Sequence, residues 1–380
     1  MSNRQTNRFV PDYLVPPGEV LEEYLEDLGM TQAELTDRTG LTKKTINEII
    51  KAKSPITPET SLKLERTLGR PAHFWSNLER QYQDDKMRLA EKERMESDLE
   101  WLDKFPVKDM AKQGWIPELK DKLEQLEAVL CFFGVASPIQ WETVWSREIQ
   151  VAYRQTEHTD RCAEAVSAWL RQGEIQARQV QCEPYDRKRL LAVLDEIRGL
   201  TREPPEVFIP RLEELFASAG VAVVFVPELP KTGVYGATRW MGGMPVMQLS
   251  LYRKSNDHLW FTIFHEAGHI LKHGRRDVFI EGQGLDGEKE EEANAYARDK
   301  LIAPALIRRL LKNGRPTLAD IERFADEIGI APGIVVGRLQ RDKVLPMNTG
   351  NKLKVFYRWK SEEAECPPSH EAIPVLSLHG

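Results

Sequence analysis

Residues 264–273 read FHEAGHILKH, and the chemistry they suggest is that of a metal. On a helix, His265 and His269 stand one turn apart on the same face, where two imidazoles can meet one Zn²⁺ at about 2.0–2.1 Å. Glu266 lies about 100° round the helix, placed to act as a base beside the metal without occupying it. A hydrolytic zinc site needs a third protein ligand and one open position. Downstream, GEKEEEANAYARDKLIAP reads as a helix from near Asp286 to before Pro304, with Glu290, Ala293, Asn294 and Ala297 on one face. Small alanines allow two helices to approach closely, so Glu290 is the expected third ligand and Glu291 the second choice. Glu292 faces elsewhere. Asn294, one turn after Glu290, is placed to orient a ligand through a hydrogen bond. His273 is either a spare ligand or a charge supporting the helix end. Tyr235, Arg239 and Tyr296 are candidate oxyanion donors. The competing reading, histidines serving core hydrogen bonds and EEE a solvated helix start, leaves the coordination of these features unexplained.

These residues need elements to position them. Ser255, Asn256 and Asp257 offer N-caps for a helix over HLWFTIFHEAGHILKH, and Gly274 offers its stop. Before it, VAVVFVPEL, GVYGATRW and MPVMQLSL have the β-branched character and spacing of strands. Met241-Gly242-Gly243 separates the last two as a hairpin turn. An extended substrate could add along an edge such as Gly236 to Trp240.

The chain has 380 residues, enough for two or three domains, and a formal net charge of -6. That balance excludes a protein coated for nucleic acid, though a local basic patch can still dock DNA. No apolar run approaches the roughly 18 residues of a membrane span, and MSNRQTNRFV lacks the apolar core of a secretory signal. The expected location is the cytoplasm, with no membrane partner. Cys131, Cys162, Cys182 and Cys366 show no CxxC spacing and read as reduced thiols.

Residues 16–82 divide into short helices. PPGEVLEEYLEDLG puts Val20, Leu21, Tyr24, Leu25 and Leu28 on one face and stops at Gly29. Thr31 and Glu34 form a capping box for TQAELTDRTG, and Gly40 permits a tight turn. Thr42 caps TKKTINEII, in which Ile46, Ile49 and Ile50 face inward. Lys43, Asn47 and Lys51 follow one another at i+4 on the other side, with Lys44 adjacent. A fourth helix runs from Thr57-Pro58 to Gly69. Two helices joined by a glycine turn, the second with a basic, amide-bearing outer face, is the helix-turn-helix pattern. Residues 83–104 mix both charge signs as an exposed connecting helix, and about 105–200 is helical with no cluster of catalytic residue types.

Over about 65 residues, from PPGEVLEEYLEDLG to RPAHFWSNLE, the N-terminal stretch resembles the HigA-type antitoxin repressors of the Xre helix-turn-helix superfamily. The resemblance implies that Gln32 and Thr42 hold phosphates of double-stranded operator DNA, while Lys43, Lys44, Thr45 and Asn47 reach the major groove. The C-terminal motifs resemble the ImmA/IrrE metallopeptidases, whose HExxH is followed by E-x-x-A-[ND]-x-[FY]-A. Here these read His265 to His269 and Glu290 to Ala297, within a resemblance over about 205–345. It implies zinc held by His265, His269 and Glu290, with Glu266 catalytic, in a domain that the family couples to Xre repressors as fusion or as cleavage target.

The expected fold is α+β and predominantly helical. It comprises an N-terminal all-α helix-turn-helix domain (1–82), a helical spacer (83–204), a C-terminal zincin-like domain with a small sheet and the HExxH helix (205–346), and a tail (347–380). The expected function is that of a homodimeric DNA-binding regulator with a fused zinc endopeptidase, acting in a toxin-antitoxin or stress-response system on a regulatory protein. The alternative is an antitoxin or repressor whose zinc domain senses a ligand or docks a cognate toxin without catalysis.

Overall fold

The computed structural model describes residues 14–146, 162–273, 279–282, 287–359 and 375–376. The chain divides into two compact units, Met1–Leu99 and Glu100–Gly380. It is rich in helix, with a four-stranded mixed sheet and a two-stranded pairing of Arg358–Trp359 with Val375–Leu376 among the described residues.

The first unit contains α1 (Pro17–Asp27), α2 (Gln32–Thr39), α3 (Lys43–Ile50), α4 (Pro58–Leu68) and α5 (Ala72–Glu96). Threonine side chains at 31, 42 and 57 cap α2, α3 and α4. Gly40 and Gly69 close α2 and α4 in the left-handed region that glycine adopts without a Cβ penalty. The expected capping box at Thr31 is half present: Thr31 accepts from the Glu34 amide, but the Glu34 carboxylate turns to Arg38 instead. Leu21, Leu25, Leu35, Ile46, Ile49, Ile50 and Leu64 form the core around fully buried Trp75. Leu28, expected inside, is 54% exposed because α1 ends at Asp27 and the chain turns away. The connecting helix expected at 83–104 is broken: α5 ends at Glu96, and a separate short helix spans Leu99–Leu102.

Gly18 lets α1 lie directly on the end of α3, for a Cβ there would stand 2.1 Å from the Ile49 carbonyl oxygen. Alanine favours helix over glycine by about 1 kcal/mol, yet that clash is with backbone, which cannot rotate aside. Gly18→Ala is therefore expected to lower the stability of this unit by about 3 kcal/mol or more. Hydrogen exchange would show faster exchange at Leu35 and Ile49 with the second unit unchanged.

The second unit begins with α6 (Leu99–Leu102), α7 (Val107–Lys112), α8 (Lys122–Phe133) and α9 (Pro138–Trp141), extended by a π turn over Glu142–Ser146. Trp101, Phe105, Phe133 and Trp141 form a cluster of tilted and edge-to-face aromatic rings there. Then come α10 (Ala163–Ala177), α11 (Arg187–Gly199) and α12 (Pro205–Ser218). The sheet is built from β1 (Ala222–Phe225), β2 (Val234–Met241), β3 (Met244–Leu249) and β4 (Phe279–Gly282) in the order β1-β3-β2-β4. β1 pairs with β3 in parallel, and β2 is antiparallel to both β3 and β4. Positive φ at Gly242 and Gly243 makes the expected two-residue hairpin turn.

Residues 163–202, read from sequence as spacer, share the core of this sheet. Leu190, Leu194 and Ile197 pack with Phe208, Phe216 and Trp260. The Trp169 indole donates to the Val226 carbonyl at 3.0 Å, and the Gln248 amide donates to the Trp169 carbonyl at 2.6 Å. The stretch read as tail also enters this unit: Tyr357 and Trp359 are buried, and Trp359 donates to Glu228.

The HEAGH segment lies in α13 (Asn256–Lys272), buried on nearly every side. Asn256 and Asp257, expected as caps, are used instead by the incoming chain: Asn256 accepts from the Val355 amide and Asp257 from the Lys354 ammonium. Gly274 and Asp286 lie outside the described residues. Against α13 lies α14 (Glu288–Leu301), followed by α15 (Pro304–Leu310), α16 (Leu318–Ile328) and α17 (Pro332–Arg341). α16 starts with a capping box at Thr317-Asp320 and ends at left-handed Gly329, as α2 ends at Gly40, but α17 begins after Ala331 with no side-chain cap. Because Ile334, Val335, Val336 and Leu339 of α17 are buried, this pair is a packing device.

Candidate functional site

Two sites can be built from the residues upward. In the first unit, α3 starts at Thr42, whose hydroxyl caps the Thr45 amide and lies 2.8 Å from the Thr45 hydroxyl. Ile46, Ile49 and Ile50 anchor the helix. Thr42, Lys43, Lys44 and Asn47 remain exposed, whereas Thr45 and Gln32 are half-buried. Lys44 reaches only loosely towards Glu48, at 3.8 Å. All six residues expected at DNA thus lie on α3, its cap or the start of α2, and four of them are exposed.

In the second unit, the close approach of α13 and α14 carries the site. Gly268 and Ala293 face each other so tightly that a Cβ on Gly268 would lie 3.2 Å from the Ala293 Cα. Ala293 and Ala297 are fully buried there. This brings Glu290 under the two histidines. His265 Nε2 lies 2.9 Å from His269 Nε2 and 3.2 Å from Glu290 Oε2, and His269 Nε2 lies 3.4 Å from Glu290 Oε1. Ligands held tetrahedrally at about 2.0–2.1 Å stand about 3.3 Å from one another, so the triangle fits a zinc-sized ion. Among the described residues these three form the group able to hold a metal.

The surrounding chemistry fits as well. Asn294 Oδ1 lies 3.1 Å from His265 Nδ1. As an acceptor it holds the proton on Nδ1 and leaves the Nε2 lone pair facing the triangle. His269 Nδ1 meets His273 Nδ1 at 2.9 Å, and His273 Nε2 meets Glu292 at 3.1 Å. With each N–H donating outward, this chain gives His269 the same tautomer. Burial, with the nearby His265 and His273, lowers the His269 pKa to about 4 despite the opposing Glu290. Burial by itself would raise that of Glu290, but a proton on the His265 or His269 Nε2 that faces it, in the place a bound cation would take, outweighs burial and holds the carboxyl at about 2. At neutral pH the cluster therefore offers lone pairs and one negative charge, the donor set of a divalent cation.

Glu266 is fully buried beside His265, and its Oε2 accepts the Thr238 hydroxyl of β2 at 2.5 Å. Gly236 makes room for it, since a Cβ there would come within 2.6 Å of Glu266 Oε1. Phe279 of β4 stacks on His269 with ring centroids 4.1 Å apart.

Glu292 faces away from the metal cluster as expected, and there it meets His273 Nε2. Several sequence expectations need correction. Arg239 is no oxyanion donor, for its guanidinium binds the Leu170 carbonyl at 2.9 Å and anchors α10 to the sheet. Tyr296 packs on Gly268 and under Lys272, and burial raises its pKa to about 12. The Tyr235 hydroxyl is engaged by Arg253. The segment Gly236 to Trp240 is not a free edge, because β4 pairs with Gly236, Ala237 and Thr238. Thr238, Gly236, Phe279 and the His273-Glu292 relay were missed by sequence reading. Only His273, at i+4 from His269, carried a local signal.

The N-terminal architecture is that of a helix-turn-helix protein. A family model described as Helix-turn-helix matches residues 21–75. Virulence-associated protein I of Dichelobacter nodosus is 33% identical over 81 residues, 21% of this chain and 72% of that protein. The uncharacterized HTH-type transcriptional regulator YddM of Escherichia coli is 27% identical over 63 residues, 17% of this chain and 67% of that protein. A solved structure of Pseudomonas aeruginosa antitoxin HigA with the higBA promoter is 26% identical. It covers 22% of this chain and 94% of that one, at a TM-score of 0.21. Through its N-terminal unit the chain belongs to the helix-turn-helix family.

Proposed function

We propose that this chain is a DNA-binding regulator carrying a zinc-dependent peptidase of ImmA/IrrE type. In this reading it acts in a toxin-antitoxin or stress-response system by cleaving a regulatory protein. The observation that carries the enzymatic half is the convergence of His265, His269 and Glu290 with buried Glu266 beside them. A bound zinc ion would polarise a peptide carbonyl and lower the pKa of water. Glu266 Oε1 and Oε2 then serve as the proton relay, taking a proton from the attacking water and delivering it to the leaving amine. Thr238 fixes the carboxylate for that task, and Asn294 and His273 hold the imidazoles in the metal-binding tautomer. Purified protein, with zinc removed as control, should cleave a helix-turn-helix repressor or toxin encoded beside it. Absence of metal-dependent cleavage across those candidates contradicts this half.

The DNA half rests on the family match and on the exposed face of α3. Its relatives include a protein named as a transcriptional regulator. In this reading Lys43, Lys44, Thr45 and Asn47 reach the major groove, and Thr42 and Gln32 hold phosphates. Replacing a phosphate-contacting lysine by alanine should reduce the salt slope of binding by about one unit, while Asn47→Ala should cost about 1–3 kcal/mol and relax sequence preference. Binding to the chain's own upstream DNA across a salt series measures both. If Lys43→Ala, Lys44→Ala and Asn47→Ala all bind like the parent, α3 is not the reader.

A further inference from the structure

A cavity of about 450 Å³ opens between α13, α14 and α17, and none of the three metal-cluster residues lines it. It touches that cluster through Asn294, the hydrogen-bond partner of His265, and through Phe261, one turn before His265 on α13. Leu301, Ile302 and Ile334 give it an apolar wall. Its charged lining comprises Arg298, Arg338, Arg341, Lys343 and Lys354, five cations against the two carboxylates of Asp257 and Glu291.

Pairing removes some of that charge. Lys354 is buried against Asp257 at 2.7 Å, Arg338 binds Asp342 at 2.6 Å, and Arg298 lies 3.8 Å from Glu291. Arg341 and Lys343 have no carboxylate partner among the described residues, and the Arg341 guanidinium lies over the Phe261 ring at 4.7 Å. A guanidinium on an aromatic face keeps its edge donors free for a planar carboxylate.

We propose that this cavity is the subsite for an acidic side chain of the peptide substrate, with Arg341 and Lys343 as its specificity-determining residues. The inference rests on the peptidase reading, because Asn294, which lines the cavity, holds His265 at 3.1 Å and so sets the cavity one residue from the metal cluster. The space exceeds one glutamate, so its methylenes can lie on Ile302 and Ile334 while the carboxylate meets the two cations.

Binding decides this without cleavage. An acetylated and amidated alanine-based octapeptide series, with one glutamate moved through each position and a glutamine counterpart for each, is titrated calorimetrically onto zinc-loaded Glu266→Gln protein. At the matching position the glutamate peptide should bind at least tenfold more tightly than its glutamine counterpart. The preference should weaken with salt, vanish in Glu266→Gln/Arg341→Gln/Lys343→Gln protein, and persist when exposed Lys312 is changed to Gln instead. Circular dichroism establishes that the variants fold. Equal affinity for the two peptides, binding of neither, or full displacement of the peptide by an equal concentration of glutarate would each overturn the proposal. Cleavage by the parent of peptides with no acidic preference would sink the subsite while leaving the peptidase standing; acid-selective binding without cleavage by the parent would do the reverse.

Discussion

Glu290→Gln protein is expected to bind zinc at least about a hundredfold more weakly than the parent. Removing an outer partner of a metal ligand costs about 10–100-fold in affinity, and Glu290 is itself one corner of the donor triangle. Its carboxylate also lies within 3.4 Å of both imidazoles. Glutamine keeps the shape but exchanges a carboxylate held at about 2 for a neutral amide, half of whose polar surface is donor. Glu292→Gln should fall between, losing about tenfold, because it loosens His273 and through it the His269 tautomer. Glu291→Gln, on an exposed side chain, should bind as the parent does. Competition against a zinc-binding dye orders the three. Loss in Glu291→Gln with full affinity in Glu290→Gln would reject the assignment of the third ligand.

The second large effect is at Glu266. Its substitution by glutamine preserves size and the hydrogen bond from Thr238, but the amide cannot accept a proton. Peptide cleavage should fall by about 10²–10⁴-fold, the usual contribution of a positioned acid-base group. Zinc stoichiometry should stay that of the parent, since Glu266 is not among the metal-holding residues. Operator binding should persist because α3 belongs to the other compact unit. Repression that persists under the inducing stress would show that regulation runs through proteolysis, whereas normal induction would favour a sensing or docking role for the metal domain.

How far the sequence reaches is clearest in α13 and α14. Spacing alone put His265 and His269 on one face, and the alanines at 293 and 297 correctly announced a close helix pair, because small residues at i+4 have few other uses between helices. The same reasoning turned Glu292 away from the metal but could not say what it meets there. Helical angles place a residue relative to its own axis, and they do not reveal that His273 at the end of the neighbouring helix stands waiting for it. Thr238 and Gly236 were invisible for a similar reason: their role depends on the sheet lying across α13, a long-range contact that no local pattern encodes. The cap residues Asn256 and Asp257 had the right types for helix starts, yet Val355 and Lys354 compete for the same oxygens. In the first unit, where threonines cap α2, α3 and α4 and glycines close α2 and α4, nearly every boundary of those helices could be read. The helices of 163–202 show no chemical motif, so their place in the sheet's core became visible only through Trp169, Leu190 and Ile197.

X-ray absorption spectroscopy of the zinc-loaded protein tests the central claim most directly. The account predicts one zinc per chain with two imidazole nitrogens and oxygen at about 2.0–2.2 Å and no sulfur. A shell at about 2.3 Å from cysteine sulfur, or a spectrum without imidazole scattering, would contradict it.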